Sequence, residues 1–158
     1  MKRVIVVTVF FFVVITVSSA FAQTPSFKVA WKEGIIMGLL VSPNTTKEQL
    51  KDLVYKFRQA KKERTLSALI PPINLGLPDK YTSFIIFIFS DPKWATSEEY
   101  KKYETASTTT AKGRAISRAY INHIMAYYQY EFQDSKEYGS LGFDDYGTNK
   151  SVHYKKLF

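Results

Sequence analysis

The sequence contains no cysteine among its 158 residues. A chain without cysteine cannot form a disulfide, a thiolate zinc site or a cysteine nucleophile, so its stability must come from a packed apolar core. Histidine is almost as scarce. His123 and His153 are the only two, and their spacing does not match the His-x-x-x-His or His-Glu-x-x-His patterns of metal-binding helices. We therefore expect no bound metal and no other cofactor.

Glycine is also sparse, with seven residues in the chain. The sequence lacks the Gly-x-x-x-x-Gly-Lys phosphate loop, the Gly-x-Gly-x-x-Gly dinucleotide fingerprint and the Gly-x-Ser-x-Gly nucleophile elbow. These absences remove the usual sequence support for nucleotide binding and for the commonest hydrolase mechanism. They favour a protein without enzymatic activity, although they do not exclude an enzyme.

The overall composition is that of an ordinary globular protein that is basic and rich in aromatic residues. The chain is 46% hydrophobic, 23% charged and 16% aromatic, and its formal net charge is +8. These proportions differ from those of disordered or fibrous chains. A chain of this length is typical of a single domain.

The amino-terminal segment has the pattern of a secretory signal peptide. Lys2 and Arg3 precede a largely apolar run over residues 4–17, and the small residues Ala20 and Ala22 follow it. The run is shorter than the roughly 20 residues that span a bilayer, so an uncleaved anchor helix is the less favoured alternative. We predict a signal peptide over 1–22, a single domain over 23–158 with no membrane anchor after cleavage, and a periplasmic or extracellular location in a bacterium.

Three stretches have the patterns of β-strands. Residues 26–33 alternate between apolar and polar side chains, which predicts a half-buried strand near the edge of a sheet. Residues 35–41 are apolar on both faces, which predicts a more central strand. Residues 81–90 are nearly continuous in aromatic and β-branched side chains, and they predict the central strand.

The first predicted helix is the most strongly patterned one. Thr45 followed by Glu48 matches a capping box, in which each side chain accepts a hydrogen bond from the other residue's backbone N–H. Apolar residues then recur at three- and four-residue spacings and form one stripe that can lie on a sheet. The helix is predicted to end near Arg64 or Leu66.

Two more helices are predicted after the central strand. Thr96 followed by Glu99 matches a second capping box and predicts a helix over 97–106, and a further helix is predicted over 111–121.

Residues 124–132 fit two structures, a strand or a continuation of the preceding helix. We favour a strand because its apolar and aromatic residues alternate, and because residues 138–143 supply a second arm for a hairpin. The order of elements then predicts an α+β fold. Its core is a single mixed, mostly antiparallel sheet of about five strands, with two or three helices packed on one face.

Two surfaces are candidates for binding. The connection over 66–80 is rich in proline, leucine and isoleucine, and an exposed apolar loop of this kind suits a protein partner. Its candidate partner-binding residues are Leu69, Ile70, Pro71, Pro72, Ile73, Leu75 and Leu77. The basic side of the first helix, together with Lys112, Arg114 and Arg118 in a later stretch that is free of acidic residues, would attract polyanions. Its candidate residues are Lys51, Arg58, Lys61 and Lys62. For both surfaces the simpler interpretation is structural, with the loop as part of the core and the lysines as a solvated helix face.

The pattern as a whole predicts an exported, non-enzymatic binding domain of the cell envelope. Its partner is an unidentified envelope protein or polymer, and the predicted export argues against nucleic acid. The alternative is a small secreted polysaccharide hydrolase or lyase that uses His123 and carboxylates of the last third of the chain. Those carboxylates are Glu131, Asp134, Glu137, Asp144 and Asp145. A structural subunit of an envelope assembly is a third possibility.

Overall fold

The computed structural model describes residues 24–70, 83–145 and 149–158. The predicted signal peptide and most of the proline-rich connection lie outside these ranges. In the described residues, no helix is both long and apolar enough to cross a membrane. The described elements, in chain order, are β1 (Phe27–Glu33), β2 (Ile36–Val41), α1 (Lys47–Lys62), α2 (Leu66–Leu69), β3 (Phe84–Phe89), α3 (Ser97–Glu104), α4 (Ala111–His123), β4 (Ala126–Glu131), β5 (Lys136–Leu141), β6 (Asp144–Asp145), β7 (Asn149–Lys150) and β8 (Lys155–Lys156).

One main sheet organises the fold. Its described strands run in the order β1-β2-β3-β4-β5-β8, and β6 pairs with β7 in a separate two-stranded sheet. Within the main sheet β2 and β3 are parallel, whereas all other neighbours are antiparallel. The predicted α+β fold with a mixed, mostly antiparallel sheet is therefore confirmed. So are the edge position of β1 and the interior position of β3, and the sheet has six strands where about five were expected.

The helices lie on both faces of the sheet, so the prediction that they share one face is wrong. Ile86 and Ile88 of β3 belong to a core under α1 and α2. Phe87 and Phe89 of the same strand belong to a second core under α3 and α4. Successive residues of a strand point to opposite faces. Because β3 is apolar on both sides, both of its faces have to be covered.

The capping box of α1 lies one residue later than predicted. The Thr46 hydroxyl accepts a hydrogen bond from the Gln49 backbone N–H at 3.2 Å, and the Gln49 side chain accepts one from the Thr46 N–H at 2.9 Å. Thr45 and Glu48 have the same sequence spacing, but they do not form the cap. The Thr46 cap still places the predicted apolar stripe of α1 on the sheet. Its core residues are Leu50, Leu53, Val54, Phe57 and Ala60.

The region after β3 follows the predictions closely. Thr96 caps α3 by accepting a hydrogen bond from the Glu99 N–H at 3.2 Å, which is half of the predicted capping box. The Glu99 side chain accepts a hydrogen bond from Lys102 at 2.7 Å instead of one from the Thr96 N–H. Helix α4 ends at His123, and Ile124 is extended, so the ambiguous stretch becomes strand β4. Strand β4 pairs with β3 on one side and β5 on the other, which confirms the predicted hairpin.

Candidate functional site

The proline-rich connection is described only at its start. Ile70 is fully buried, and Leu69 is partly buried against the core beneath α1. The burial of Ile70 assigns its side chain to packing and removes it from a binding surface. The other predicted binding residues, Pro71, Pro72, Ile73, Leu75 and Leu77, lie outside the described residues, and their role stays a prediction.

The basic residues predicted on α1 do not form one surface. The Arg58 Nε donates to a carboxylate oxygen of Glu137 at 2.7 Å, and its guanidinium lies 4.1 Å from the centre of the Phe158 ring. Lys61 is buried, and its ammonium lies 3.7 Å from the centre of the Tyr130 ring. Both side chains therefore lie against neighbouring elements.

The other two predicted α1 cations are more exposed. Lys51 forms an ion pair with Glu48 at 3.4 Å on the same helix, and Lys62 is exposed near the end of the helix. Of the four predicted polyanion-binding residues, these two are the ones directed toward solvent.

The histidines occupy structural positions. The His123 ring stacks on Trp94 with the ring centres 4.2 Å apart, and burial lowers the pKa of His123 below its usual value. The His153 Nε2 lies 3.0 Å from the backbone carbonyl oxygen of Ile124. A group of three histidine, aspartate or glutamate side chains able to hold a metal ion does not occur within the described ranges.

The carboxylates of the last third of the chain each have a partner. The contacts are Glu131 with Gln129, Asp134 with Lys136, Glu137 with Arg58, Asp144 with Lys150, and Asp145 with Tyr103. Burial raises the pKa of Asp145. Asp144 and Asp145 are adjacent in β6, where neighbouring side chains point to opposite sides, so the two do not face a common ligand.

A concave site lies on the β4–β5 part of the sheet. We call it the β4–β5 cleft, and its volume is about 320 Å³. It is lined by Tyr127, Gln129, Tyr138, Gly139, Ser140, Phe143, Asp144, Tyr154, Lys156 and Phe158.

The strand register explains why these side chains meet. Tyr127 lies opposite Ser140 and Gln129 lies opposite Tyr138, so these four residues share one face of the hairpin. Helices α3 and α4 cover the neighbouring part of this face, and that core reaches as far as Tyr127. The remaining face stays open beyond it.

The segment 149–158 supplies the other wall of the cleft. Strand β8 pairs with the end of β5, and the Leu157 N–H donates to the Gly139 carbonyl at 2.8 Å. Gly139 has no side chain, and a Cβ at that position would overlap with the Phe158 ring. The glycine therefore allows the segment to lie close to β5, which places Tyr154 and Lys156 at the cleft.

The cleft combines aromatic rings with fixed polar groups. The rings of Tyr127 and Phe143 have their centres 4.8 Å apart. The Tyr127 hydroxyl donates to the Gln129 side chain, whose Nε2 donates to Glu131 at 2.8 Å. These hydrogen bonds hold the amide of Gln129 in one orientation. Tyr138 is 36% exposed, which leaves much of its ring accessible to a ligand.

The described lining of the cleft holds few groups that could act as a general acid or base. Asp144 is the one carboxylate among the described lining residues, and it forms an ion pair with Lys150 at 3.2 Å. Glycoside hydrolysis ordinarily needs two carboxyl groups on either side of the bond that breaks. Neither histidine lines the cleft.

Part of this site could be predicted from the sequence. The alternation of residues 124–132 places Tyr127 and Gln129 on one face of a strand, and the second hairpin arm adds Tyr138. Tyr154 and Lys156 carry no such signal, because their position depends on hydrogen bonds between the segment 149–158 and β5. Comparison with known proteins finds no matching family model, no matching curated protein and no matching solved structure.

Proposed function

We propose that this chain is an exported, non-enzymatic binding domain of the bacterial cell envelope, and that the β4–β5 cleft holds a segment of an envelope polysaccharide. The observation that carries the proposal is the combination of the exposed Tyr138 ring, the half-buried Tyr154 ring and oriented polar side chains in one concave site. Export rests on the signal-peptide pattern of residues 1–22.

A sugar ring matches the chemistry of this cleft. A pyranose has an apolar C–H face and a rim of hydroxyl groups. A tyrosine ring can cover the apolar face, while its own hydroxyl and neighbouring side chains bond to the rim. Gln129, Ser140, Asp144 and Lys156 supply both donors and acceptors around the rings.

The size of the cleft supports a polymer segment rather than a folded protein partner. A cleft of about 320 Å³ is at the lower end of small-ligand sites. A stable interface between two folded proteins buries about 800 Å² on each partner and is usually flatter.

Binding can be measured with the protein purified from the envelope fraction of an expressing bacterium. The probes are purified peptidoglycan sacculi in a sedimentation assay and soluble chito-oligosaccharides in calorimetry. We expect Tyr138→Ala to weaken binding about tenfold, because it removes a ring that can stack on the sugar. The matched control is Phe132→Ala, which removes a similarly exposed ring, 37% exposed, from the turn of the same hairpin.

Three results would contradict parts of the proposal. Equal affinities for Tyr138→Ala and the unsubstituted protein would remove the cleft from binding. Release of soluble sugar from the sacculi would identify the hydrolase alternative. Retention of the full-length chain in the cytosol, with residue 23 never found as the amino terminus of the product, would contradict export.

A further inference from the structure

Helix α4 presents a cationic surface that is separate from the β4–β5 cleft. Residues 105–130 contain no aspartate or glutamate, whereas α4 carries Lys112, Arg114 and Arg118, all of them exposed. A shallow groove runs along the solvent side of this helix, and we call it the α4 groove. It is lined by Ala111, Arg114, Ala115, Arg118, Ala119 and Asn122.

One arginine of this groove is held in place by the backbone. The Arg114 Nη1 donates to the carbonyl oxygens of Thr108 and Thr109, at 3.2 and 2.9 Å. These bonds fix the guanidinium before any ligand arrives, so less conformational entropy is lost on binding. A guanidinium has five N–H donors, and these two bonds use one of its nitrogens.

Arg118 follows one turn later on the same side of the helix. Residues four apart in a helix are separated by about 6 Å along its axis. The alanines beside the arginines are small, and they leave both guanidinium groups open to a chain lying along the groove. The α4 cations differ in this respect from Arg58 and Lys61 of α1, which are directed onto Phe158 and Tyr130.

We propose that the α4 groove binds a linear anionic polysaccharide. Guanidinium groups form paired, charge-assisted hydrogen bonds with carboxylate, sulfate and phosphate groups. Two arginines along one groove, on an acid-free stretch, complement a polymer that carries an anion on successive sugar units.

A lipid surface is the less suitable occupant. Helices that bind in the plane of a membrane insert large apolar side chains below the headgroups. The large hydrophobic residues exposed in the described part of the chain are Ile35, Tyr55, Phe132, Tyr138 and Val152, and none of them belongs to α4. The choice of a polysaccharide over a nucleic acid rests on the proposed export, whereas the site itself does not depend on the cleft.

The experiment compares two pairs of substitutions that change the net charge equally. Arg114→Gln with Arg118→Gln removes the two arginines of the α4 groove, and Lys51→Gln with Lys62→Gln removes two solvent-directed cations of α1. Arg118→Gln alone leaves the backbone contacts of Arg114 intact and serves as a milder variant. The probes are polygalacturonate and heparin, titrated between about 50 and 200 mM salt.

We expect the α4 pair to bind both polymers about tenfold more weakly at low salt and to show a smaller salt dependence, because fewer counterions are released. The α1 pair should change affinity less than twofold. The α4 pair should leave the binding of soluble chito-oligosaccharides, which carry no anionic group, unchanged, and this separates failure of the α4 groove from failure of the cleft.

Several outcomes would overturn the proposal. Equal losses in both pairs would mean that net charge alone controls binding. A larger loss in the α1 pair would assign the polyanion-binding surface to α1, as the sequence predicts. Tighter, arginine-dependent binding to duplex DNA or to vesicles rich in phosphatidylglycerol would assign the groove to a different class of ligand.

Discussion

At the scale of single residues, Gly113 shows how close packing can reverse an intrinsic preference. Glycine is a poor residue inside a helix, and alanine is usually better by about 1 kcal/mol. Gly113 lies in the first turn of α4, where its backbone N–H donates to the capping Thr110 hydroxyl at 3.0 Å. A Cβ at this position would overlap with the backbone carbonyl of Ser107. The absence of a side chain allows the preceding turn to fold against the helix.

Gly113→Ala is therefore expected to destabilise the protein by about 2 kcal/mol, because the backbone near Ser107 must move to admit the methyl group. The free energy of unfolding in urea measures the change. Ala115→Gly provides the control at an exposed position of α4 and should cost about 1 kcal/mol. A more stable Gly113→Ala variant would show that helix propensity outweighs the steric overlap.

At the scale of secondary-structure elements, α1 is joined to β5 by a partly buried ion pair. Arg58 and Glu137 have side chains that are 33% and 15% exposed, and their N–O distance is 2.7 Å. The same guanidinium lies over the Phe158 ring. This contact connects a helix, a strand and the segment that walls the β4–β5 cleft.

Replacing Arg58 with Met should lower the free energy of unfolding by about 2 kcal/mol, because Glu137 loses its charged partner in a poorly solvated position. Lys51→Met is the control, since its ion pair with Glu48 is well exposed and such pairs contribute less than about 1 kcal/mol. Urea titrations of both variants give the comparison. Similar losses would indicate that the Arg58 contact is no stronger than a surface pair.

The elements with strong periodicity were predictable, and the short ones were not. The sequence patterns locate β1 to β5, α1, α3 and α4 to within a few residues. Strands β6, β7 and β8 have two residues each, too few to show an alternation. The placement of all helices on one face was wrong, although the two apolar sides of β3 already indicate that both faces are covered. Which helix covers which face is not contained in the periodicity of one strand.

The candidate site follows the same division between local and long-range information. Tyr127, Gln129 and Tyr138 owe their common face to strand alternation, which the sequence contains. The wall formed by Tyr154 and Lys156 depends on the pairing of β8 with the end of β5. Two-residue strands have no sequence pattern that would predict this pairing. The α1 cations were predicted from helix amphipathicity, which cannot distinguish a side chain in solvent from one folded over an aromatic ring.

At the scale of the whole molecule, two partly buried ionisable groups affect stability at acidic pH in opposite directions. Burial lowers the pKa of His123, so the unfolded chain takes up that proton first and the folded state loses stability as the pH falls below about 6.5. Burial raises the pKa of Asp145, so the folded chain takes up that proton first and gains stability as the pH falls toward about 4. Around His123, Asp91 favours the charged form, whereas Lys93 and His153 oppose it.

His123→Phe should remove the first of these effects while keeping an aromatic ring on Trp94. Between pH 7.5 and pH 5, the unsubstituted protein is expected to lose more stability than the variant. Urea titrations at the two pH values measure the difference, and His153→Phe shows whether the other histidine contributes. Parallel losses in the His123→Phe variant and the unsubstituted protein would mean that His123 protonates equally in both states.

The packing of α1 on late strands determines when the protein can fold during its synthesis. This helix consists of residues 47–62, yet it lies on β4 and β5, which are formed by residues 126–141. A ribosome delivers the amino-terminal part first, so the apolar stripe of α1 emerges long before the strands that cover it. The fold of the nascent chain therefore cannot be completed until synthesis is nearly finished. A translocation channel threads polypeptides that have not yet folded, so a fold that is completed late is compatible with the proposed export.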